Sequence, residues 1–179
     1  MATVNGATRL LAQLIETPLG TMLAAASDKG LCLLEFEDRG ALDSEIEFLQ
    51  KRFQGSVVSG DHPHIVSICG ELDRYFAGAL REFKTPLAIS GTPFQEAVWR
   101  RLLAIPYGQT LSYGQLAQEL GLLGVQRAVG KANGDNRLAI VVPCHRVIRS
   151  DGTLCGYGGG LWRKKRLLEL ERGETSLFP

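Results

Sequence analysis

Val141-Val142-Pro143-Cys144-His145-Arg146-Val147-Ile148 sets apolar, mostly β-branched residues on both sides of a Pro-Cys-His step. Pro143 restricts Val142 to extended conformations and has no N–H to donate, so regular pairing must break just before the thiol. The stretch reads as a buried strand end meeting a bend that carries a cysteine and a histidine. A lone free cysteine is most often a core residue. Here an imidazole adjoins the thiol, and a thiol becomes a strong nucleophile when a base or positive charge favours the thiolate. Sequence neighbours rarely face each other, so a water is expected to bridge Cys144 and His145. The base also needs a third group to orient it.

The flanks of this stretch are mainly helical. Upstream, Thr92-Pro93-Phe94-Gln95 is a helix start with Thr as N-cap, Pro in the first turn and Gln placed to return a bond. Phe94, Val98, Leu102 and Ile105 supply its apolar stripe, and Pro106-Tyr107-Gly108 ends it. Ser112-Tyr113-Gly114-Gln115 is a second start of the same kind. After the turn Gly121-Leu122-Leu123-Gly124, a third helix spans Val125 to Asn133, with Ala128, Val129 and Ala132 on one face and Gln126, Arg127 and Lys131 on others. On pattern alone, a helix-turn-helix and a plain helical hairpin are equally good readings. Downstream, Gly156-Tyr157-Gly158-Gly159-Gly160 is a loop with no following Lys-Ser/Thr, which argues against a phosphate-binding P-loop. Leu161 to Arg172 is a closing helix stopped by Gly173, with Leu161, Leu167, Leu168 and Leu170 apolar. Its run Arg163-Lys164-Lys165-Arg166 reads as a solvated face, with phosphate binding as the alternative.

Asn136, the run IVVPCHRVI from Ile140 to Ile148, and the downstream Gly156-Tyr157 and Gly159 resemble the O6-alkylguanine-DNA alkyltransferases, the methylated-DNA–protein-cysteine methyltransferases. The resemblance runs from about Thr92 to Arg172 and more loosely through the N-terminal half. It implies an α+β protein: an N-terminal ribonuclease-H-like domain over 1–85, then a mainly helical C-terminal domain with a winged-helix-like helix-turn-helix over 86–179. It implies direct, irreversible repair of O6-alkylguanine, and less efficiently O4-alkylthymine, in duplex DNA, with the base flipped out and the alkyl group kept on the protein's own cysteine. No cofactor is needed for such a single-turnover reagent.

Matched position by position, the resemblance assigns Cys144 as acceptor, His145 and Glu171 as its activating relay, and Tyr113 as proton donor to the leaving guanine. The residues alone do not choose between Glu171 and Glu169; the family spacing selects Glu171. Arg127 matches the arginine that replaces the extruded nucleotide in the stack, on a helix that enters the minor groove. Ser112, Gln126 and Lys131 are further candidate DNA contacts. Asn136, Val147, Tyr157, Gly158 and Gly159 form the candidate base pocket, with Asn136 spanning the turn beside the cysteine. Gly158 and Ala139 stand where several relatives have serine and proline, which points to a roomier pocket. Cys155 reads as a bystander. An alkyltransferase-like protein that only flags lesions would lack Cys144, and a cysteine hydrolase would need an oxyanion hole and many turnovers.

In the N-terminal half, Leu10–Ile15, Thr21–Ala26 and Leu31–Phe36 are short apolar runs separated by Pro18-Leu19-Gly20 and Asp28-Lys29-Gly30, an antiparallel meander. Leu42, Ile46, Leu49 and Phe53 share one helix face, and Val57-Val58 is a further short strand. Ile65, Ile68, Leu72, Tyr75 and Phe76 mark a second helix with Pro63 in its first turn. Residues 78–91 read as a linker. His62, His64 and Cys69 match no zinc spacing and lack a fourth ligand, so no metal is expected.

Composition bounds the rest. The 179 residues, 45% hydrophobic and 22% charged, suffice for one domain or two small ones with a real core. No apolar run nears the length of a membrane helix, and Met1–Arg9 lacks signal-peptide character, so a cytoplasmic monomer with reduced thiols is expected. The net charge of +1 hides an asymmetry: residues 1–90 hold 8 Lys/Arg against 12 Asp/Glu, and residues 91–179 hold 12 against 7. The positive half is the expected face for a polyanion.

Overall fold

The computed structural model describes residues 8–122 and 124–174. Strands β1 (Thr8–Ile15), β2 (Met22–Ser27) and β3 (Gly30–Phe36) form the expected antiparallel meander. Helix α1 (Leu42–Phe53) then returns the chain to β4 (Gly55–Ser59). β4 pairs parallel with β1, giving the order β3-β2-β1-β4 in a mixed sheet. Helix α2 (Pro63–Phe76) starts under a His62 cap, whose Nδ1 accepts from the His64 N–H at 3.1 Å. One face of the sheet packs on α1 through Leu10, Cys32, Leu33 and Leu49. The other face packs on α2 and, without a break, on the C-terminal half.

The linker does not hang free. At the outer edge of β3, Leu31 N–H donates to Pro86 O and Leu31 O accepts from Ala88 N–H, both at 2.8 Å. A Cβ on Gly30, at φ +143°, would lie 2.5 Å from Pro86 O, so only glycine lets the strand approach this closely. Further along the same edge, Leu34 bonds Arg137 O and Ala139 N–H at 2.8 Å each. Two flanking segments thus cover what would be an open sheet edge, and the second comes from the active half of the molecule. Every residue of β3 is buried as a result.

Helices α3 (Pro93–Leu103) and α4 (Tyr113–Glu119) both start with the capping boxes read from sequence. The two-residue strand β5 (Leu111–Ser112) precedes α4, and helix α5 (Gln126–Gly134) follows it. Leu123 of the intervening turn lies outside the described residues. α5 packs on α3 and α4, and the Trp99 indole N–H donates to Ala132 O at 2.7 Å. After α5 come a 3-10 turn at Cys144–Arg146, β6 (Val147–Ile148) paired parallel with β5, and helix α6 (Leu161–Glu171).

Three expectations fail here. Val141 and Val142 are not a strand end: residues 139–141 form a buried turn, with Ile140 left-handed at φ +71°. Leu161 is exposed rather than part of the apolar face of α6. Arg163 and Lys164 are buried, not solvated. The Lys164 ammonium donates to the carbonyls of Val147 at 2.6 Å and Cys155 at 2.7 Å, and Arg163 reaches Leu19 O, Gly159 O and the Asp38 carboxylate.

Candidate active site

The turn before Cys144 is held by one side chain. Asn136 Oδ1 accepts from Leu138 N–H at 3.0 Å, and its Nδ2 donates to Val142 O at 2.9 Å. Only the nitrogen end of the amide can satisfy that carbonyl, so the orientation of Asn136 follows from its partners. The same nitrogen lies 3.2 Å from Cys144 Sγ. From α5, Asn133 Nδ2 donates to the Cys144 carbonyl at 3.3 Å. Burial pushes the Cys144 thiol up to about 11; the Asn136 bond pulls the other way, Glu35 adds to the rise, and Lys164 and Arg39 oppose it. At rest the group is therefore a thiol, primed by an N–H that strengthens as negative charge builds on sulfur.

His145 makes no direct bond to that sulfur. Its Nε2 is 2.8 Å from Glu171 Oε1, and its ring is fully buried. Burial holds the imidazole below the ordinary value of 6.5, overriding the upward pull of Glu171. Burial alone would raise the Glu171 carboxyl, but His145 and Arg146 outweigh it and hold the group far below its usual range. A carboxylate acceptor fixes the proton on Nε2, which leaves Nδ1 as a buried lone pair with no partner among the described residues. Five donors converge on Glu171. Oε1 accepts from His145, from the Tyr75 hydroxyl at 2.8 Å and from Arg146 Nη2 at 2.9 Å. Oε2 accepts from Arg146 Nε at 2.9 Å and from Gly108 N–H at 3.0 Å. Glu169, the competitor by sequence, instead meets Lys165 and Arg166 near the surface.

A narrow cavity opens beside Cys144, with Asn133, Asn136, Ala139, Tyr157 and Gly159 in its walls. Glu35 and Arg39 reach it from the N-terminal half. Arg39 pairs with the buried Glu35 and donates to Gly134 O at 3.0 Å and Asn136 O at 3.3 Å. A Cβ on Gly158 would sit 2.8 Å from the Arg39 Cζ. At Gly158 the space that glycine leaves is filled by a guanidinium, so this position does not widen the pocket as expected.

Residues 10–89 match the ribonuclease-like domain of 6-O-methylguanine DNA methyltransferase, and residues 93–173 match its DNA binding domain. A methylated-DNA–protein-cysteine methyltransferase of Mycobacterium leprae is 45% identical over 161 residues, 90% of this chain and 92% of the relative. The chain belongs to the methylated-DNA–protein-cysteine methyltransferase family. The crystal structure of Mycobacterium tuberculosis O6-methylguanine methyltransferase is 41% identical, with TM-score 0.78 over 93% of this chain and 94% of that one. That of Mycobacterium tuberculosis OGT in complex with DNA is 40% identical, with TM-score 0.77 over 96% and 99%. The protein is an O6-methylguanine DNA methyltransferase, and its chemistry is DNA repair by alkyl transfer to cysteine.

Against that family background, the remaining candidates separate. On α5, Gln126, Arg127 and Lys131 are exposed, and so is Ala128. Lys131 pairs with Asp135 at 2.9 Å one turn on, while Arg127 makes no ion pair among the described residues. Ser112 Oγ is committed to its cap, accepting from Gln115 N–H at 3.1 Å. Tyr113 lies across from the loop, its hydroxyl 3.6 Å from where a Gly156 Cβ would stand. Burial first, then the Cys155 thiol, raise its pKa, so it stays a protonated donor. Val147 does not reach the cavity: its side chain is wholly in the core, while its carbonyl accepts from Lys164 and its N–H donates to the Cys144 carbonyl. Sequence reasoning missed Arg146, Tyr75, Gly108, Asn133, Glu35 and Arg39. All but Arg146 act at a distance along the chain, and Arg146 was visible only as part of the motif.

Proposed function

We propose that Cys144 receives the alkyl group from O6-alkylguanine flipped out of duplex DNA, in one irreversible turnover, with O4-alkylthymine a poorer substrate. The observation that carries this is the Asn136 N–H on Sγ beside a histidine whose Nδ1 is the free, buried base. His145 takes the thiol proton through a bridging water, and Glu171 holds the ring in the required tautomer. Sulfur attacks the alkyl carbon in line, the carbon–O6 bond breaks, and its electron pair passes into the purine. The Tyr113 hydroxyl donates a proton to the leaving base. The thioether that remains has no route back to a thiol, so the protein is consumed. We assign the two functional units to residues 1–85 and 86–179. The deciding experiment is intact-protein and peptide mass after incubation with an O6-methylguanine duplex: one added methyl, on Cys144, saturating at one per protein. Multiple turnovers or a methyl elsewhere would refute the assignment.

The relay sets a pH profile. A thiolate–imidazolium pair has the same proton count as a thiol–imidazole pair, so the rate should be flat between the two titrations. It should fall only below the His145 pKa, itself below 6.5, and change again near the thiol value of about 11. Single-turnover rates from pH 5 to 9 test this. A tenfold rise per pH unit across neutrality would mean that free thiolate reacts without His145.

In this reading Arg127, exposed on α5, fills the gap that the extruded nucleotide leaves. Extrusion costs a few kcal/mol, and a planar guanidinium stacked in the gap offsets part of it. Arg127→Ala is expected to slow transfer from duplex about 100-fold while leaving the free base O6-benzylguanine within about twofold, since a free base needs no extrusion. Equal losses with both substrates would instead give Arg127 a role in the fold or pocket.

A further inference from the structure

The relay draws on a residue outside the DNA-binding half. Tyr75 sits on α2, its ring packed edge-on between Phe76 and Tyr107, with centroids 5.4 and 6.0 Å away. Its side chain is completely buried, and its hydroxyl ends 2.8 Å from Glu171 Oε1, the same oxygen that faces His145 Nε2. The structure assigns Tyr75 as a positioning residue of the relay, which orients the Glu171 carboxylate and moderates the basicity that Glu171 confers on His145. This rests on the reading of Cys144 and His145 given above.

The physical reason is competition for one oxygen. Electron density that Oε1 gives to the Tyr75 hydroxyl is not available to the His145 N–H. Removing the hydroxyl leaves Oε1 more basic and stabilises the imidazolium. The other groups that face the pair do not substitute for it. From the 3-10 turn, Arg146 donates one N–H to each carboxylate oxygen. Gly108, after α3, donates to Oε2 only. Tyr107 lies against Glu171 without a bond to it, with Arg81 on its ring at 5.6 Å. From α6, the Lys164 ammonium is spent on backbone carbonyls and disfavours imidazolium through space. Cys144 bonds neither nitrogen of the ring among the described residues, its sulfur facing Asn136 instead. Tyr75 is therefore the neutral donor on the oxygen that matters, and it is brought there by the N-terminal half.

The test uses the full chain and the pH dependence of single-turnover methyl transfer. Tyr75→Phe keeps the ring and removes the hydroxyl. Its acid limb should move up by about half a pH unit, roughly a threefold gain in proton affinity at His145. Affinity for damaged duplex should not change. If Tyr75→Phe fails to fold, site-specific 3-fluorotyrosine at position 75 preserves the packing with a more acidic, stronger-donating hydroxyl. It should move the limb down, the opposite sign. A limb that stays in place with either replacement overturns the inference, even if the rate or stability falls. A wild-type protein that transfers no methyl at any pH would instead overturn the reading of the site itself.

Discussion

Cys144→Ser is expected to abolish alkyl transfer while leaving binding to damaged duplex intact. The change is nearly isosteric, and the Asn136 N–H that now meets sulfur at 3.2 Å would still have an acceptor. What is lost is nucleophilicity: a hydroxyl at this position has no base strong enough to ionise it, and removing a covalent nucleophile costs on the order of 10⁴-fold or more. The other cysteines do not stand in for it. Burial pushes Cys32 up to about 12, and its thiol is turned to the Ala25 carbonyl at 3.2 Å. Cys69 is also raised, by burial and then by Asp73. Cys155 lies against Tyr113, away from the Asn136 amide. Quantitative mass spectrometry of the variant after excess O6-methylguanine duplex, beside a gel-shift titration, separates the two effects. A methyl recovered on Cys155 would show that the acceptor had been misassigned.

What the sequence discloses about this molecule divides by distance along the chain. The helix starts at Thr92 and Ser112 are local chemistry, a hydroxyl and an amide three residues apart, and both appear as read. The meander is local too, since each turn joins adjacent strands. The parallel pairing of β4 with β1 is not, because α1 intervenes and periodicity says nothing about a partner across it. Local pattern misled at Val141-Val142. β-Branched residues before a proline read as a strand, but the Asn136 side chain supplies the hydrogen bonds that a strand partner would have given. The basic run in α6 failed for a related reason: Lys164 is buried because carbonyls from the turn and loop converge on its ammonium, and those lie 8 to 17 residues away. The same limit applies at the site. Cys144 and His145 announce themselves as neighbours, whereas Glu171 is 26 residues from its histidine and Tyr75 is 96 from Glu171.

Glu171→Gln is expected to cost both stability and rate, far more than the same change at Glu169. Two carboxylate oxygens now receive five donors, among them the charged guanidinium of Arg146. A glutamine keeps one acceptor and replaces the other with an NH₂ group. In either orientation that group faces N–H donors: Arg146 Nη2 on one side, Arg146 Nε and Gly108 on the other. Arg146 keeps one bond to the amide oxygen and one to the Ile105 carbonyl at 2.6 Å, but it loses its buried counter-charge. Stranding one partner of a buried pair costs about 3–5 kcal/mol. For a chain of this size that lowers the melting temperature by roughly 10 °C. The sign with pH follows from the depressed carboxyl of Glu171. Its contribution is complete above the ordinary carboxylate range and is lost as pH falls toward the folded-state value. The gap between wild type and variant should therefore be widest near neutrality and narrow below about pH 4.5. Transfer should slow about 100-fold at neutral pH, because the imidazolium formed when His145 takes the thiol proton no longer faces a carboxylate charge. Glu169→Gln removes only contacts to Lys165 and Arg166 near the surface and should cost about 1 kcal/mol or less. Thermal melts of both variants at pH 7 and pH 4, with single-turnover rates at pH 7, decide the matter. Equal effects of the two substitutions would remove Glu171 from the relay.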